Sequence, residues 1–198
     1  MSRRIAVVAG AALAFIGATP AAAHIVGPDS PLYDVLRHPV FEPTLAAVMI
    51  ALGLWAGQQK PRTGWATAAI FLIAVIAGAV AANFDLLPPL RPIAVASSMV
   101  VLGALVAARF QAPLWLAGAL AAIAGFYQGV FGTLAHFQGG TGPYPIADLA
   151  VAAALLPLAC LQLVRRLQAG WVQVVFRVLG SWVAAAGILL LALLIRIR

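Results

Sequence analysis

Asp34, His38 and Glu42 stand at i, i+4 and i+8, which on a helix places them on nearly one face. Two carboxylates and an imidazole so arranged can hold a divalent transition metal or pass a proton. Glu42 is the sharpest of the three, because a carboxylate at the edge of an apolar segment is costly and normally has a partner. Its plainer explanation is headgroup solvation with Arg37 as ion-pair partner, since Pro43 follows. His24 follows a small-residue stretch that reads as a processing site. As a mature first residue it would offer an α-amine and an imidazole together, a chelate suited to copper or nickel. An accidental first residue is the plainer reading. His136, before Gln138, can join His24 and His38 on one side of a membrane or be a solvated interface histidine. The candidate metal ligands are therefore His24, Asp34, His38, Glu42 and His136, and a set this rich in nitrogen suits nickel, cobalt or copper over magnesium.

The remaining polar groups have structural explanations. Asp85 and Arg91 flank a Pro-Pro loop and read as a surface pair. Asp148 reads as a first-turn acid near a positive helix end. Tyr127 and Gln128 are expected to hydrogen-bond across a bundle, with a small neutral solute's pathway as the weaker alternative. Cys160, the single cysteine, lies in an apolar run and reads as packing. There is no Gly-rich phosphate loop, no GxSxG elbow and no HExxH, so no enzyme activity and no resident cofactor are expected.

The segments that must carry these residues are membrane segments. Of the chain, 64% is hydrophobic and 9% charged, too little polar surface for a soluble domain of 198 residues. The net charge of +7 does not point to nucleic acid, because Lys and Arg are scattered singly or in pairs between apolar runs. Residues 1–23 read as a cleaved signal peptide: Arg3 and Arg4, an apolar stretch from Ile5 to Gly17, then small residues at Ala21 and Ala23. Residues 24–198 then form a single all-α membrane domain, a compact bundle of about six transmembrane helices. The spans are expected near 39–57, 64–82, 93–110, 113–134, 146–164 and 174–195. With His24 outside, the inner loops hold Lys60, Arg62, Arg109, Arg165, Arg166 and Arg177, against Arg37, Arg91, Arg196 and Arg198 outside. The bias favours a bacterial-type inner membrane protein with its mature N-terminus out. The GxxxG spacings Gly53–Gly57 and Gly125–Gly129 predict close helix packing. Trp55, Trp115, Trp171 and Tyr144 are expected at the membrane interfaces.

The stretch from His38-Pro39 to Gly53-Leu54-Trp55-Ala56 resembles the first-helix signature of the HupE/UreJ family. Those are membrane proteins associated with hydrogenase and urease maturation and regarded as nickel or cobalt permeases. His38-Pro39 and Gly53-Leu54-Trp55-Ala56 match the family spacing. The layout also matches, with a signal peptide, an N-terminal His24 and about six helices. The resemblance implies metal transport or handling, with a metal ion, the lipid bilayer, and membrane-protein partners or a second copy as associates. The departures are specific. The family's Asp-His falls on Thr44 and Leu45. Its fourth-helix histidine motif falls near Tyr127-Gln128-Gly129-Val130-Phe131-Gly132, and a fifth-helix histidine falls on Pro157. The chain resembles a divergent member that lacks most of the family's intramembrane His and Asp. Two functions follow: a metal permease or metal-handling protein with its site moved to the outer rim, or a non-transporting structural subunit of a larger membrane complex.

Overall fold

The computed structural model describes residues 43–83, 93–137 and 145–196, with side chains described at 43–82, 93–133 and 149–196. Among the described residues there are six helices and no strand: α1 (Pro43–Gln58), α2 (Pro61–Asn83), α3 (Ile93–Ala108), α4 (Leu114–Phe137), α5 (Pro145–Arg166) and α6 (Gly170–Arg196). Four of them, α2, α4, α5 and α6, are long and apolar enough to cross a membrane. α1 and α3 have 16 described residues each. That is a rise of about 24 Å, short of a hydrocarbon core of about 30 Å.

The helix ends follow from local backbone chemistry. Prolines open α2 and α5, where the missing N–H is no loss because a first-turn N–H has no intrahelical acceptor. The break expected across Gln58 to Thr63 therefore shrinks to Gln59 and Lys60, and α2 begins three residues earlier than expected. α3 stops two residues before the expected Phe110. Arg109 takes a left-handed φ of 52°, with Arg109 N donating to Val106 O at 3.1 Å and Phe110 N to Leu105 O at 3.1 Å. These two bonds are the Schellman pattern, which caps the last free carbonyls.

The helices pack chiefly in three pairs: α2 with α4, α3 with α6 and α1 with α5. α1 touches all five others and is the central helix, with residues 51–57 buried without interruption. Both expected GxxxG faces are contact faces. A methyl on Gly53 would sit 2.5 Å from Pro157 O and 2.7 Å from Cys160 Cβ, and one on Gly57 would sit 2.7 Å from Val164 Cβ. A methyl on Gly129 would collide with Val75 O, and one on Gly125 would lie 2.6 Å from Phe71 O. Small residues there let two backbones touch, which is how apolar helices gain contact where lipid removes the hydrophobic drive. Trp55 stands near the end of α1, as expected, but its ring faces into the bundle. It is 0% exposed and donates its indole N–H to Phe110 O at 2.9 Å. The end of a central helix is walled by neighbouring helices, so nearness to the end of an apolar run does not expose it. Trp115 and Trp171 are exposed, and Tyr144 lies outside the described residues.

Candidate functional site

α1 is held at each end by a polar side chain from elsewhere. Near its start, Gln128 of α4, 1% exposed, donates from Nε2 to Leu45 O at 2.7 Å. These are the positions onto which the resemblance maps the family's first-helix Asp-His and fourth-helix motif. The structure brings the two together, but joins them by an amide and a backbone carbonyl. Tyr127 next to it meets the Phe126 ring edge-on, with centroids 6.2 Å apart. Pro157 lies inside α5, which continues through it, and packs against Gly53. As proline it has no N–H to give to the turn before it.

At the other end of α1 an amide and indole network ties three connections together. Gln59 Nε2 donates to Phe110 O at 2.8 Å, and Gln59 Oε1 accepts from Ala112 N at 2.9 Å. Gln111 Nε2 donates to Gln58 O at 2.7 Å. Arg177 Nε donates to Ala107 O at 2.9 Å, and Arg165 Nη2 to Pro61 O at 3.1 Å. The α1–α2, α3–α4 and α5–α6 connections therefore share one end of the bundle. That end carries Lys60, Arg62, Arg109, Arg165, Arg166 and Arg177. Sequence reasoning read Gln58 and Gln59 as turn residues; only their carbonyl and amide partners, 48 to 53 positions away, reveal their role.

The bundle interior has little polar capacity to spare among the described residues. Thr67 and Thr133, both fully buried, donate to the carbonyls one turn back, Thr63 O at 2.8 Å and Gly129 O at 2.9 Å. Such bonds settle a hydroxyl within its own helix when no water is at hand. No group of three or more His, Cys, Asp or Glu side chains gathers among the described residues. Of the candidate ligands, His24, Asp34, His38 and Glu42 lie outside the described residues. So do Asp85 and Arg91. His136 falls in the last turn of α4 and Asp148 in the first turn of α5, and both side chains lie outside those described. The Gln128–Leu45 bond does fix one relation: α4 finishes, with His136, at the end of the bundle where α1 starts.

The model of the family described as HupE / UreJ protein matches residues 10–190. No curated protein and no solved structure matches the chain. With a match over nearly all of its 198 residues, and with apolar helices long enough to cross a bilayer, the chain belongs to the HupE / UreJ family of membrane proteins.

Proposed function

We propose that the protein is a multi-pass inner-membrane accessory protein that handles a divalent transition-metal ion, nickel or cobalt with copper as the third candidate. The family match over residues 10–190 carries this reading. The site is assigned to the rim where α1 begins and α4 ends. In sequence, His38 and Glu42 come just before α1, and His136 stands in the last turn of α4; His24 and Asp34 are separate candidates further upstream, not assigned to this rim. Imidazole with carboxylate suits these metals, and the rim avoids burying a charged set in lipid. The interior supports the same placement from the other side, because Gln128 is already bonded to Leu45 O. Cells expressing the wild type should accumulate nickel or cobalt above background, and His38→Ala at equal membrane abundance should lose most of that excess. Equal accumulation by the two would sink the metal role of this rim.

A second reading, a non-transporting subunit of a larger membrane complex, draws support from α6. Its Trp171, Val174, Val178, Trp182, Leu189 and Leu193 are all exposed, making it the least buried of the long helices. On that reading, extraction in a mild detergent co-isolates a stoichiometric membrane partner. A lone monomer or homo-oligomer counts against it.

A further inference from the structure

Arg165 is held in place on the basic end of the bundle. Its Nη2 donates to Pro61 O at 3.1 Å, and its guanidinium carbon lies 5.4 Å from the centroid of the Trp65 ring. An arginine stacked on an indole and bonded to a carbonyl has given up little of its remaining donor capacity, since a guanidinium has five N–H groups. Its orientation is already set, so a ligand need not order it. Arg62 follows Pro61 directly, Lys60 precedes it and Arg166 follows Arg165; all three are exposed. No carboxylate is described at this end. The chain has five acids, and Asp148, the one that belongs to a described helix, stands in the first turn of α5, about 25 Å of helix rise from Arg165.

The surface below this cluster is apolar. Trp65, 44% exposed, begins a row of exposed residues on α2 that continues through Ala69, Ile73, Ile76 and Val80. Their spacing of four, four, three and four residues keeps them on one helix face. A cationic cluster at the mouth of an exposed apolar stripe matches a molecule with an anionic head and a hydrocarbon tail. Free phosphate would use the cations and leave the stripe without a role.

We propose that Arg165, Arg62, Lys60 and Trp65 form a binding site for the phosphate headgroup of an anionic phospholipid, whose acyl chain lies along the α2 stripe. The guanidinium donates to the phosphate oxygens, with Arg62 and Lys60 adding charge. The site rests on the reading of the chain as membrane-spanning and is independent of the metal role.

The test uses the full chain purified in a zwitterionic detergent and reconstituted in phosphatidylcholine nanodiscs. Thermal unfolding is followed as phosphatidylglycerol replaces part of the phosphatidylcholine, and separately with inorganic phosphate. Phosphatidylglycerol should raise the melting temperature saturably, and phosphate should not. Arg165→Gln should weaken the effect about fivefold, roughly the value of one basic residue at an anionic surface. Arg177→Gln, which removes a charge at the same end away from Trp65, should leave it nearly intact. If Arg165→Gln folds poorly, Trp65→Leu serves instead, keeping the apolar bulk and removing the stacking face; it should weaken the lipid effect in the same direction. Equal weakening by Arg165→Gln and Arg177→Gln would reduce the effect to general surface attraction and overturn the site. So would an equal response to inorganic phosphate, or no difference between the two lipids. Recovery of the chain in buffer without detergent would overturn the membrane reading itself, which a lost lipid preference leaves standing.

Discussion

Arg109 occupies a backbone conformation that favours glycine. At φ 52° its Cβ crowds the following carbonyl, at a cost of roughly 1 kcal/mol, while the two Schellman bonds hold the turn in place. Arg109→Gly should therefore leave stability in detergent, followed by thermal unfolding, unchanged or raise it by up to about 1 kcal/mol after the glycine's own entropy cost. Arg109→Val should lower stability by more than about 1 kcal/mol, because a β-branched residue fits that region worst. Gln128 presents a different balance. Its bond to Leu45 O crosses between helices in a dry interior, where such bonds have averaged about 0.6 kcal/mol. Gln128→Leu, which keeps the bulk, should cost under about 1 kcal/mol. Gln128→Ala should cost about 2 kcal/mol more, because it adds a cavity to the lost bond. Similar losses in the two variants would mean that the hydrogen bond, not the packing, holds α4 to the start of α1.

The pairing of elements rests on surfaces stripped of side chains. α2 and α4 meet where Gly129 faces Val75 and Gly78 faces the Phe126 carbonyl, so neither helix can withdraw without losing a long line of contact. Gly129→Leu should destabilise the bundle by about 3 kcal/mol or more and should lower detergent-extracted yield, since the obstruction is backbone and cannot rotate away. Gly170 is the internal control: nothing lies within 4 Å of a methyl placed there. Gly170→Ala at the exposed start of α6 should be neutral or stabilising by up to about 1 kcal/mol. This scale also marks what was legible from the residues alone. The apolar runs coincide with the described helices, because length and uniform hydropathy mark them, and the GxxxG spacings marked two contact faces. The interior position of Trp55 was not legible, because it follows from α1 being the helix the others surround. Nor was the three-pair arrangement, since nearly uniform apolarity leaves no face distinguished by sequence. Gln128 was readable as a cross-bundle donor. Its acceptor was not, being a carbonyl that every residue carries.

At the scale of the whole molecule the dominant asymmetry is charge along the bundle axis. Lys60, Arg62, Arg109, Arg165, Arg166 and Arg177 gather at the end where α1, α3 and α5 finish. Among the described helices the one acid, Asp148, stands at the opposite end, in the first turn of α5; in sequence, Asp29, Asp34 and Glu42 precede α1 and Asp85 follows α2. Short basic connections resist transfer across an energised membrane, so this end should face the cytoplasm. Two single-cysteine variants on a Cys160→Ala background test the orientation. Gln111→Cys, exposed in the α3–α4 connection, should escape a membrane-impermeant maleimide in intact cells and react once the membrane is opened. Arg196→Cys, exposed at the far end of α6, should react in intact cells. The reverse labelling would turn the bundle over and put the start of α1 and the end of α4, where His136 stands, on the cytoplasmic side. A rim site would then meet metal only after it had entered the cell, and capture from outside would have to be abandoned in favour of intracellular delivery. The phospholipid site would move with it to the outer leaflet, so one pair of labels decides the direction in which both sites work.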